Sequence, residues 1–165
     1  LGVASNGLHT NGYSLVRMLL EKMPQIKFEK IHGETFLEQI MKPHTAYYKA
    51  IKQIASNPAV HGMAHITGGG MEANLSRIIP KGVQAKIDLG KWKVLPLFRF
   101  IKEAGNIEEQ EMLATFNCGI GLAVVVEKTS AQWIKARISE FFDCCGIGAI
   151  QAGEPKVSFY HHIAW

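Results

Sequence analysis

His65-Ile66-Thr67-Gly68-Gly69-Gly70 sets an imidazole, a hydroxyl and three bare backbone units side by side, directly ahead of the amphipathic run Met71 to Ile79 that Pro80 closes. A helix start leaves backbone N–H groups without intrahelical partners, and those groups attract anions. A glycine loses more backbone entropy on folding than any other residue. Three in a row therefore mark either a cradle that a phosphate approaches closely or a turn that lets strand and helix pack tightly. His65, at the edge of this turn, is of the one side-chain type that exchanges protons near neutrality without perturbation, so it is either a proton-transfer group or a structural histidine. A second polar cluster opens the chain. Asn6, His9, Thr10 and Asn11 crowd the entrance of a helix, where they either present donors to a phosphate or carboxylate or simply cap the turn.

Metal and thiol chemistry find less support in the spacing. His61 and His65 are four residues apart, which on a helix would suit a metal, but the segment reads as a strand with no carboxylate third ligand nearby; no metal site is assigned. Cys144 and Cys145 are adjacent and Cys118 stands alone, so no C-x-x-C spacing exists and the thiols are expected to be buried or half-buried and reduced.

The elements that must position these residues follow from periodicity. Helices are expected over Tyr13 to Met23 (behind polar Thr10 and Asn11, stopped by Pro24), Glu34 to Met41, Tyr47 to Ala55, Met71 to Ile79, Leu95 to Glu103, Glu108 to Phe116 and Ser130 to Phe142, the last with Ser130 as its cap. Strands are expected over Val60 to Ile66, Gln84 to Asp88 and Gly119 to Glu127, with one or two more around the Gly153-Glu154-Pro155 turn. Their irregular alternation predicts an α+β fold, a mixed β-sheet flanked by helices, and no repeat or linker divides it.

Composition bounds the function. A chain of 165 residues, 47% hydrophobic, suits one domain with one well-buried core. Its net charge of +4 comes from scattered lysines and arginines, which favours small anionic ligands over nucleic acid. The apolar segment Ile120 to Val126 falls far short of the roughly 20 residues of a spanning helix, and Leu1 to Thr10 lacks the basic start and apolar core of a secretory leader. A cytoplasmic protein without membrane contact is expected.

Four linked motifs carry a family resemblance. Gly7-Leu8-His9-Thr10-Asn11-Gly12-Tyr13-Ser14-Leu15-Val16-Arg17, then Ala64 to Gly70, then Trp92, Pro96 and Phe98, then Glu111-Met112 with Thr115-Phe116-Asn117-Cys118-Gly119-Ile120-Gly121, resemble the C-terminal half of phosphoribosylformylglycinamidine cyclo-ligase, also called aminoimidazole ribonucleotide synthetase. The resemblance covers nearly all of the chain, so residues 1–165 are expected to be one C-terminal domain. The family's acidic, glycine-containing segment that helps bind metal and nucleotide is not found in it.

That resemblance implies an ATP-dependent ring closure in purine biosynthesis, with ATP and Mg²⁺ bound mainly by an N-terminal half and the intact enzyme a homodimer. The implied substrate is a phosphorylated ribonucleotide. The isolated part is expected to be inactive. It also implies roles: Thr67, Gly68, Gly69 and Gly70 as a phosphate cradle, Asn6, His9, Thr10 and Asn11 as donors lining the same cleft, and His65 as the proton-transfer residue. Asn117 either contacts substrate or satisfies the turn backbone. The family often has an arginine in the segment here reading Pro43-His44-Thr45-Ala46-Tyr47, and another where Ala114 stands, so phosphate affinity is expected to be weaker or supplied by Arg17 or Arg77. The alternative is a phosphate- or nucleotide-binding module, or a related superfamily member acting on selenophosphate, thiamine phosphate or the preceding amidine-forming step.

Overall fold

The computed structural model describes residues 1–165 throughout. Seven helices and nine strands follow in the order β1 (Gly2–Ala4), α1 (Tyr13–Lys22), β2 (Lys30–Ile31), β3 (Glu34–Thr35), α2 (Phe36–Ile40), α3 (Tyr48–Ile54), β4 (Val60–His65), α4 (Gly70–Ser76), β5 (Val83–Asp88), α5 (Pro96–Gly105), α6 (Glu109–Thr115), β6 (Ile120–Val126), α7 (Ala131–Ser139), β7 (Cys144–Cys145), β8 (Gly148–Ala152) and β9 (Val157–Tyr160). The class is α+β, as expected. The strands are distributed over a four-stranded antiparallel sheet in the order β4-β6-β1-β7, a three-stranded mixed sheet in the order β8-β5-β9, and the small β2-β3 ribbon.

β6 lies at the centre of the first sheet and is apolar along its length because both of its faces are covered. Leu122 and Val124 point to one side, where they join Val3, Ala50, Ile54, Ile134 and Ile138 beneath α3 and α7. Ala123 points to the other, towards Ile66 just past β4, Met71 and Leu75 of α4, and Ala85, Ile87 and Val157 of the second sheet. This is the two-residue period of a strand. The register shift between Val3 and Ala4 moves Ile120 into the second of these clusters. A third cluster, built on Leu8, Val16, Leu19, Phe36, Phe98, Met112 and Phe116, anchors α1, α2, α5 and α6 beyond the sheet end.

Helix ends differ from expectation in informative ways. Ser130 makes no side-chain cap on α7, and α1 is entered through left-handed Gly12, not through a side-chain cap from Thr10 or Asn11. Thr35 does cap α2 through a reciprocal box with Glu38. The short strands β1 and β7 carry too few residues for periodicity to reveal them. The C-terminal tail is pinned. Glu109 accepts hydrogen bonds from the Trp165 indole at 2.8 Å and from the Ile163 backbone N–H at 3.3 Å. His161 Nδ1 meets the buried Asp88 carboxylate at 2.8 Å.

Candidate functional site

Three polar segments meet at one end of the first sheet: the turn between β1 and α1, the loop between α2 and α3, and the glycine turn between β4 and α4. The first brings Asn6, His9 and Asn11, the second His44, the third His65 and Thr67 to Gly70.

The glycine run divides by position. Gly70 is buried at φ +64°, and a Cβ there would overlap the Leu113 carbonyl oxygen of α6, so this residue exists to let α4 and α6 pack. Gly69, at φ +90°, precedes α4, and its Cβ would come within 2.7 Å of Ala73. Gly68 is the open member: it is exposed, and a Cβ would find only Asn11 Oδ1 at 3.6 Å. The N–H groups of Gly68 and Gly69 donate to no acceptor in the chain. Asn74, which sequence reasoning missed, holds the turn from behind. Its buried amide donates to the carbonyls of Thr67, Gly68 and Gly70 at 3.1, 3.2 and 2.7 Å. Only its spacing from the glycine run could have drawn attention to it. Arg77 donates to Asn74 Oδ1 at 3.1 Å, which places it behind the turn, and Arg17 is an exposed residue of α1.

The first turn supplies two polar atoms that the protein leaves unpaired. His9 and Asn11 are 5% and 8% exposed, and His9 Nδ1 and Asn11 Nδ2 are buried with no hydrogen-bond partner. Such orphans are uncommon in folded proteins and call for a ligand or water. His9 also holds a left-handed backbone, φ 58°, rare for a residue with a side chain. Thr10 is exposed and forms no hydrogen bond within the chain. Gly121 keeps the space beside His9 open, since a Cβ there would overlap the Tyr47 hydroxyl and lie 2.7 Å from His9 Cε1.

Asn117 does not line this cleft, which corrects its assignment to the ligand-binding set. It is 2% exposed. Its Oδ1 accepts from Ser5 Oγ at 2.7 Å and from the Gly119 N–H at 2.9 Å, while Nδ2 donates to the Gly7 carbonyl at 2.9 Å. Both side-chain polar atoms are spent on bracing the first turn against the start of β6, the second of the two roles its sequence position allowed.

His9, His44 and His65 form one group. Ring centroids are 3.9 Å apart for His9 and His44 and 5.0 Å for His44 and His65, and Nε2 of His44 lies 3.1 Å from Nε2 of His65. The Tyr47 ring stands edge-on to both His9 and His65, and its hydroxyl donates to the Ala4 carbonyl at 2.8 Å. His61, weighed in the sequence as the neighbour of His65, instead faces Glu127 at 3.7 Å.

Burial, reinforced by the charges of His44 and His65, lowers the His9 pKa from 6.5 to about 4; His65 is lowered for the same first reason, with His44 adding to it. A depressed histidine favours the fold only while neutral. Between the unfolded value and about 4 the unfolded chain binds the extra proton, so stability is full above roughly pH 6.5 and falls as acid is added through that window. Urea titrations in EDTA are expected to show a loss of about 2 kcal/mol between pH 7 and pH 5. In His9→Asn, whose side chain tolerates the left-handed backbone, most of that slope should vanish; an unchanged slope would assign it to other groups.

The fold and site define a class: a two-sheet α+β domain with a bare-backbone turn and unpaired polar atoms gathered at one end of the first sheet. Residues 1–161 match the family described as AIR synthase related protein, C-terminal domain, and the chain belongs to it. Among curated relatives it is 44% identical over 143 residues to phosphoribosylformylglycinamidine cyclo-ligase of Bacillus cytotoxicus, and 43% identical over the same length to the proteins of that name from Bacillus thuringiensis and Bacillus cereus. Each match covers 85% of this chain and 41% of the relative, so the chain spans about two fifths of their length. No helix is long and apolar enough to cross a membrane.

Proposed function

We propose that the chain forms the substrate-binding part of an ATP-dependent cyclo-ligase of purine biosynthesis, which closes formylglycinamidine ribonucleotide to aminoimidazole ribonucleotide. The observation that carries this reading is the meeting of Asn11 Nδ2, a buried donor without a partner, with the unpaired N–H groups of Gly68 and Gly69 at one cleft. The 44% identity to a relative of that printed name supports it.

In this reading the formyl oxygen accepts a phosphoryl group, the amidine nitrogen attacks the same carbon, and the C–O bond breaks with loss of phosphate. Phosphorylation turns a poor leaving group into a good one. ATP and Mg²⁺, held mainly by a further N-terminal part, supply the phosphoryl group and neutralise its charge. This chain's contribution is to hold the substrate phosphate on the Gly68–Gly69 backbone and to place the reacting nitrogen and carbon in contact. Asn6, Asn11 and Thr10 offer polar contacts, and His65 is the proton carrier nearest the turn. The intact enzyme is expected to be a cytoplasmic homodimer.

The test is a cyclisation assay on the chain alone and joined to an N-terminal part like that of its relatives. Turnover is expected only in the joined protein, and robust turnover by the chain alone would overturn the division of labour. Within the joined protein, Gly68→Ala should leave stability unchanged, because its Cβ meets nothing closer than 3.6 Å, yet weaken substrate binding on the order of tenfold or more. Unaltered affinity would move the phosphate elsewhere.

A further inference from the structure

We propose that His9, His44 and His65 form a binding site for one transition-metal ion of the zinc class. One nitrogen from each ring lies within 4.8 Å of the others. A tetrahedral ion with bonds of about 2.0–2.1 Å needs nitrogens about 3.4 Å apart, so closing the group takes small ring rotations, and two of its members, His44 and His65, are exposed and free to make them.

The strongest argument is the state of His9. Asn6 Nδ2 donates to the Pro43 carbonyl at 2.8 Å, which turns Asn6 Oδ1 towards His9 Nε2 at 3.0 Å. An oxygen can only accept, so His9 Nε2 carries the proton and Nδ1 carries the lone pair. That lone pair is the buried atom with no partner in the protein. Metal-binding histidines have this arrangement, one nitrogen fixed by an outer acceptor and the other free for the ion. The same Asn6 ties the first turn to the loop bearing His44, so one side chain positions two of the three donors.

The set is chemically selective. Three neutral imidazoles without a carboxylate suit zinc, cobalt, nickel or copper and offer little to magnesium or calcium, which take oxygen ligands. Three protein ligands leave a coordination position open on the solvent side, where His44 and His65 are exposed. Occupancy has a functional consequence that rests on the preceding proposal. A neutral imidazole has one available nitrogen lone pair, so an ion on His65 removes it from proton transfer, and zinc-class ions are expected to inhibit the joined enzyme while leaving its fold intact.

The direct test needs no turnover. The chain is titrated with Co²⁺, followed by its visible d–d absorption, and with Zn²⁺ by calorimetry. Saturable binding of one ion per chain is expected, weakened at least tenfold in His44→Ala and ten- to a hundredfold in Asn6→Ala, which frees the His9 tautomer. His61→Ala, an exposed histidine facing Glu127, should bind as the unaltered chain does. The proposal fails if no saturable binding occurs, if His44→Ala binds equally well, or if His61→Ala loses as much. Because the readout is metal affinity, it stands or falls separately from the cyclo-ligase reading.

Discussion

Gly70→Ala is expected to destabilise the chain by about 3–5 kcal/mol, enough to leave much of it unfolded at physiological temperature. Two costs add. The left-handed backbone at φ +64° charges any residue with a Cβ about 1–2 kcal/mol. The larger cost is steric, because the new methyl would occupy the place of the Leu113 carbonyl oxygen and come within 2.9 Å of the Leu113 carbonyl carbon and 3.4 Å of that of Ala114. Those atoms are backbone of α6 and cannot rotate away as a side chain would. Relief requires α4 and α6 to separate, which opens the cluster around Met71 and Leu75. Denaturant unfolding of Gly70→Ala beside Gly68→Ala checks this: the first should shift the midpoint strongly and the second by less than about 0.5 kcal/mol. Equal, small effects would show that the turn yields easily and that all three glycines serve a ligand.

Asn117→Ala should cost about 3 kcal/mol or more. Three buried groups lose their partner together: the Ser5 hydroxyl, the Gly119 N–H and the Gly7 carbonyl. Each unsatisfied buried group costs about 1–3 kcal/mol, and relaxation of the turn recovers part of the sum. Asn117→Asp is expected to be no milder, since it keeps the acceptor but sets a second oxygen against the Gly7 carbonyl and buries an unpaired charge. Thermal and urea unfolding measure the loss. A variant that keeps its stability and loses only substrate affinity would return Asn117 to the ligand-binding set.

The surroundings of Gly70 and Asn117 show where sequence and structure divide. The helices and the longer strands were legible because their signals are local: the spacing of Leu15, Val16, Leu19 and Leu20, the apolar run Ile120 to Val126, and the stops at Pro24 and Pro80. The strand-turn-helix character of His65 to Ser76 was legible for the same reason. So was the family, through four motifs in a fixed order, and the match over residues 1–161 bears it out. Strands of two or three residues were not legible, because so few residues hold no period.

The site was legible only as segments. Sequence flagged His9 and His65 separately, treated His44 as the loss of an arginine, and paired His65 with His61 because the two are close in the chain. Tertiary structure decided otherwise through long-range pairing. The β1-β6-β4 register sets Gly2 opposite Ala123 and His65 opposite Leu122, and so carries the turn after β1 to the glycine turn after β4. The bond from Ser5 to Asn117 spans 112 residues, and the one from Asn6 to Pro43 spans 37. Sequence thus determined which residue types were available and which local elements would carry them. Which atoms ended up buried, paired or unpaired was decided by sheet register and helix packing, since desolvation and hydrogen-bond satisfaction depend on neighbours that chain order does not specify.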